Sequence, residues 1–182
     1  NQDNHKGKWG DANTARSVIL ADSLTEDNLY DAMRNRRIYA TEDNDLKITY
    51  KLNNEIMGTI LDSKPDDVNI DVKISDADKE AIGKVDVIVN GGKVAATKTV
   101  TSSDEDVTFQ LPANYSYYYI RVTQPDKDIA VTAPVWVGEV DKAGISKTSA
   151  STVLPVKGEE LTITSNLYNN ESVPMNIKSL EY

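Results

Sequence analysis

Between Leu46 and Val137 hydrophobic and polar residues alternate one for one over run after run. Leu46, Ile48, Tyr50 and Leu52 are interleaved with Lys47, Thr49 and Lys51, and Val68, Ile70, Val72 and Ile74 with Asn69, Asp71 and Lys73. A period of two sends successive side chains to opposite faces, so each run predicts a half-buried antiparallel strand. Asn53-Asn54 predicts a tight hairpin into a second strand over 56–61. Residues 85–89, Asn90-Gly91-Gly92 and 94–100 form the strongest hairpin signal, because Asn and Gly accept the positive φ that tight turns need. Runs at 107–111, 117–123 and 129–137 bring the total to about eight short strands with regular turn signals. The expected fold is mainly β: an immunoglobulin-like antiparallel β-sandwich, without the Cys-Trp-Cys pattern of a true immunoglobulin domain.

The pattern before residue 44 is different and predicts one α-helix ahead of the sandwich. Thr25 is a suitable N-cap, Glu26 and Asp27 put negative charge in the first turn, and Leu24 is placed to staple onto Leu29. Leu29, Ala32 and Met33 then make an apolar stripe, and Arg36 and Arg37 supply positive charge where the helix dipole favours it. The stripe needs cover from the β domain, a neighbouring domain or a second copy of the chain. At the other end, residues 138–151 are rich in Lys, Gly, Ser, Thr and Ala and predict a linker, with further strands from Leu161 onward. The expected division is 1–43, 44–140 for the β-sandwich, and 141–182 for a linker plus extra strands or the start of a further β module. Every clean period-two run lies at or beyond Leu46, so residues 44–140 are expected to fold without 1–43.

A chain of 182 residues with 39% hydrophobic content has enough apolar material for a real core. Its net charge of −9 and pI near 4.6 oppose nucleic-acid binding through the general surface. The dense basic cluster Arg34-Asn35-Arg36-Arg37 is accounted for by the helix end. No apolar run reaches the roughly 20 residues that span a bilayer. With no cysteine, disulfides and thiolate chemistry are excluded.

Candidate chemistry is sparse. Nucleophilic catalysis by Ser or Thr lacks a base, because His5 is the one histidine. Asp76-Ala77-Asp78-Lys79-Glu80 has alternating carboxylates, but the sixth and twelfth positions of a calcium loop would be Ala81 and Val87, so an acidic turn is the better reading. Tyr117 and Tyr119, with Trp136 on a nearby strand, offer flat aromatic faces for a ligand such as a sugar ring. Tyrosine is also an ordinary strand residue with a wet edge.

Asp3-Asn4-His5 places a carboxylate and an imidazole two residues apart, a pair suited to zinc, manganese or iron. A catalytic zinc takes about three protein ligands, which this chain cannot supply. The run Asp3-Asn4-His5-Lys6-Gly7-Lys8-Trp9-Gly10, together with the stretch 24–41 ending Arg36-Arg37-Ile38-Tyr39-Ala40-Thr41, resembles the end of a PHP (polymerase and histidinol phosphatase) domain, in the secreted-type CehA/McbA branch. The resemblance covers roughly residues 1–140. It implies that Asp3 and His5 are the last ligands of a divalent-metal cluster, that the remaining ligands belong to a barrel upstream in the same polypeptide, and that the β-sandwich is an accessory domain. It also implies an extracellular or cell-surface location and a phosphoesterase-like activity for the whole protein, with this chain not competent alone. The other reading is a non-enzymatic β-sandwich binding or spacer module of a bacterial surface protein, with carbohydrate as its candidate ligand.

Overall fold

The computed structural model describes residues 5–138, 143–152, 154–169, 174–176 and 178–179. Strands take 47% of the chain and helix 7%. In chain order the elements are β1 (Arg16–Ile19), α1 (Glu26–Arg34), β2 (Ile38–Thr41), β3 (Lys47–Leu52), β4 (Glu55–Ile56), β5 (Asp67–Ser75), β6 (Gly83–Val89), β7 (Lys93–Val100), β8 (Asp104–Pro112), β9 (Tyr117–Thr123), β10 (Ile129–Thr132), β11 (Val135–Trp136), β12 (Ala143–Ala150) and β13 (Ile163–Asn169).

Two antiparallel sheets form the sandwich expected from the alternation. The larger runs β1-β2-β10-β9-β6-β7, with β11 also on β9, and the smaller runs β4-β3-β5-β8. Each strand turns its apolar set inward: Ile48, Tyr50 and Leu52 from β3 and Val68, Ile70, Val72 and Ile74 from β5 meet Val85 and Val87 from β6 and Tyr118, Ile120 and Val122 from β9 in one buried cluster. Removing each such side chain from water is worth about 1.5–3 kcal/mol, which is why the period-two runs dictate the fold. The sheets are also tied by a buried polar contact, the Tyr50 hydroxyl donating to the Tyr118 carbonyl at 3.0 Å.

The Asn53-Asn54 turn forms as expected, both residues having positive φ (49° and 69°) and Leu52 pairing with Glu55. Its second strand stops at Ile56, however. Gly58 to Leu61 crosses to the larger sheet, where the Gly58 amide donates to Pro134 and the Leu61 amide to Trp136. The expected single strand at 129–137 is divided into β10 and β11, with Pro134, which has no amide hydrogen to give a ladder, in the gap.

The segment ahead of residue 44 is built into the sandwich. β2 pairs with β1 on one side and β10 on the other, and Tyr39 enters the core, its hydroxyl donating to the Leu46 carbonyl at 2.9 Å. Helix α1 has the expected cap, Thr25 accepting from the Asn28 amide. Leu24 is 90% exposed, so the staple does not form; Ala32 is buried, while Met33 remains 42% exposed. Residues 143–150, expected as linker, form β12 and pair with β13 in a separate two-stranded sheet.

Candidate functional site

Asp3 lies outside the described residues. His5 is exposed, in a segment of bends leading to β1, where Gly7, Lys8 and Gly10 all have positive φ. Among the described residues, no group of three potential metal ligands includes His5.

The three carboxylates that do converge are Asp43, Asp45 and Asp76, with ligand atoms within 4.8 Å of one another. Asp43 and Asp45 come from the β2–β3 connection and Asp76 follows β5. Asp78 and Glu80 serve the cluster through their backbone amides, donating to Asp45 Oδ2 at 2.6 Å and to Asp76 Oδ1 at 2.9 Å. Gln124 Nε2 donates to Asp76 Oδ2 at 3.0 Å. The side-chain hydrogen bond to Asp43 pushes Asp45 up from its usual carboxyl range. Burial also pushes Asp43 up, but its bonds from Asp45 and Gln124 outweigh this and hold it low. The two carboxyls are thus pushed in opposite directions by the hydrogen bond they share.

The outer face of the larger sheet carries the aromatic residues. β9 alternates so that Tyr118 faces inward and Tyr117 and Tyr119 outward, their rings 6.4 Å apart and 19° from parallel. With Val131, Thr132, Pro134 and Trp136 they line a groove of about 360 Å³. A second groove, about 480 Å³, has Ile19, Met33, Arg36, Ile38, Pro134 and Trp136 in its wall. Pro134 and Trp136 belong to both, so the two are one apolar strip running from β9 to α1.

Arg36 fixes one end of this strip, a role absent from the helix-dipole reading of the basic cluster. The helix ends at Arg34, and Arg36 sits in the left-handed region with φ 57°. Its Nε donates to the Gly58 carbonyl at 2.9 Å, and its guanidinium lies 5.6 Å from the centre of the Trp136 ring, a cation–π distance. Arg37 pairs instead with Asp31 at 3.3 Å, an exposed pair of little energetic weight.

Beside the strip, Asp86 is fully buried on the outward side of β6. Thr97 Oγ1 donates to its Oδ1 at 2.6 Å, Arg121 Nη2 to its Oδ2 at 2.7 Å, and Lys84 Nζ lies 3.1 Å from Oδ2. Burial raises the Asp86 pKa, but these three partners more than offset it, and the net value lies below the ordinary 3.8. A depressed carboxyl pKa stabilises the fold above the unfolded-state value, and that stabilisation is lost as pH falls through the folded value. Chain stability should therefore drop as pH is lowered below about 4, and Asp86→Asn should flatten that acid limb while costing about 3 kcal/mol at neutral pH. Denaturant melts of both proteins across pH 2.5–7 (roughly the carboxyl titration range) check this; an unchanged acid limb in the variant would assign it to other carboxyls.

No family model matches the chain, and neither does any solved structure. It is similar to an uncharacterized protein of Chlamydia pneumoniae, with 29% identity over 138 residues covering 66% of this chain and 22% of that protein. The chain thus spans less than a quarter of the length of the curated relative it matches. Among the described residues, no helix is long and apolar enough to cross a membrane.

Proposed function

We propose that this chain is the C-terminal accessory region of an extracellular or cell-surface PHP-type metal-dependent hydrolase, phosphoesterase-like, whose catalytic cations are held mainly by a barrel upstream in the same polypeptide. The observation that carries the reading is the order of residues after Asp3-Asn4-His5. An edge strand, a Thr25-capped helix, the Arg36 turn and the strand Ile38–Thr41 follow without interruption, and that last strand is hydrogen-bonded into the sandwich.

When bound, the divalent cations would activate water and polarise the scissile bond. The residues of this chain do not fit a complete site. A catalytic zinc takes about three protein ligands, commonly histidines, and the chain has one histidine and no cysteine. No catalytic step is therefore assigned to the chain itself, whose part is to end the metal motif at Asp3 and His5 and to hold the sandwich behind it. With manganese or zinc added, a polypeptide extended upstream of Asn1 should hydrolyse a generic phosphodiester, and the present chain should not. Hydrolysis by the present chain, or none by the extended one, would overturn the reading.

A further inference from the structure

We infer that the apolar strip on the outer face of the larger sheet is the docking surface for the domain preceding it in the same polypeptide, an inference that rests on the proposed function for the existence of that domain. The strip has the make-up of an interface core rather than of ordinary surface. Trp136 and the Tyr117–Tyr119 pair supply large rigid contact area, Met33 is adaptable, and Arg36 is held over Trp136 by its bond to Gly58. Trp, Tyr, Met and Arg are the residues enriched where protein partners bury each other. Ile38 and Val131, 39% and 36% exposed, continue the apolar floor across β2 and β10 on a face where polar residues are the norm.

Three observations choose the occupant. The strip ends at β1, the edge strand, and the chain reaches β1 through residues 5–15, so it enters the sheet at this margin. The Chlamydia relative has more than three quarters of its length outside the match, which is ample chain for such a domain. A second copy fits poorly, because two chains of net charge −9 repel each other.

Hydroxyl-radical footprinting of Met33, Tyr119 and Trp136 tests the surface, comparing the present chain with the upstream-extended polypeptide. The expected result is labelling reduced about fivefold or more in the extended protein, as for residues at the centre of an interface. In the extended protein Ile38→Glu with Val131→Glu should restore the labelling, while leaving the melting temperature of the present chain unchanged. Equal labelling in the two proteins would overturn the inference. So would protection that appears in the present chain as its concentration rises, marking a homodimer face, or on adding a glycan mixture, marking a sugar site. Phosphodiester hydrolysis by the same extended protein separates the two claims. Hydrolysis without protection removes the docking surface and leaves the proposed function, and protection without hydrolysis does the reverse.

Discussion

Deleting residues 1–43 is expected to abolish the cooperative unfolding of this chain, whereas deleting 1–14 should leave it nearly unchanged. The longer deletion removes β1, α1 and β2, and with β2 the whole ladder that satisfies one side of β10 through Ala130–Thr41 and Thr132–Tyr39. It also takes Tyr39 from the core, where the ring is 4% exposed and the hydroxyl bridges the Leu46 carbonyl and the Ile48 amide. Losing one buried aromatic costs about 3–5 kcal/mol, and whole domains have only about 5–15 kcal/mol to lose. The cavity, the orphaned Leu46 carbonyl and a newly open apolar strand edge add to that. The shorter deletion takes away bends whose described residues are mostly exposed. Far-UV circular dichroism melts of both truncations decide the matter. A cooperative transition in the longer truncation, within a few degrees of the full chain, would mean that β2 is dispensable.

The other large effect is expected at Gly58. Its φ is +91°, and a Cβ there would overlap the backbone carbonyl oxygens of Asn35 and Arg36 at the end of the α1 turn. Those are main-chain atoms, the Arg36 carbonyl also accepting from the Ile38 amide, and Gly58 itself is held by its bonds to the Arg36 side chain and Pro134, so no side chain can swing aside. Left-handed strain of about 1–3 kcal/mol and an overpacking cost of similar size place Gly58→Ala at about 3–5 kcal/mol. Gly91→Ala is the matched control. Its φ is also positive, at 69°, but its Cβ would meet nothing within 4 Å, leaving the conformational cost of about 1–2 kcal/mol. For a chain of this size each kcal/mol moves the midpoint about 2–4 °C, so thermal melts should separate the variants clearly. Equal shifts would show that the α1 turn yields easily around Gly58.

What the sequence revealed was what depends on period. The strands β3, β5, β6, β7, β8 and β9 were legible because each repeats apolar and polar residues over several positions. The helix was legible from Thr25, Glu26 and Asp27. β1 and β2, at four residues each, are too short to establish a period, and their membership of the sheet depends on β10, some ninety residues away (about the 41–130 separation). The break at Pro134 had a local signal, since proline cannot donate to a ladder. The candidate site divides along the same line. Tyr117 and Tyr119 face outward as period two requires, but that Trp136, Met33 and Ile38 continue their surface follows from pairing. The meeting of Asp43 and Asp45 with Asp76, and the seating of Arg36 on Gly58 and Trp136, are long-range contacts with no sequence signature.

The most direct test of the central claim is the metal content of the purified upstream-extended polypeptide, measured by elemental analysis with and without His5→Ala. Bound zinc, manganese or iron at a fixed stoichiometry, reduced by about tenfold in relative affinity when this ligand is lost, is the expected result. A metal content that His5→Ala leaves untouched, or no bound metal in the extended protein, would contradict the account.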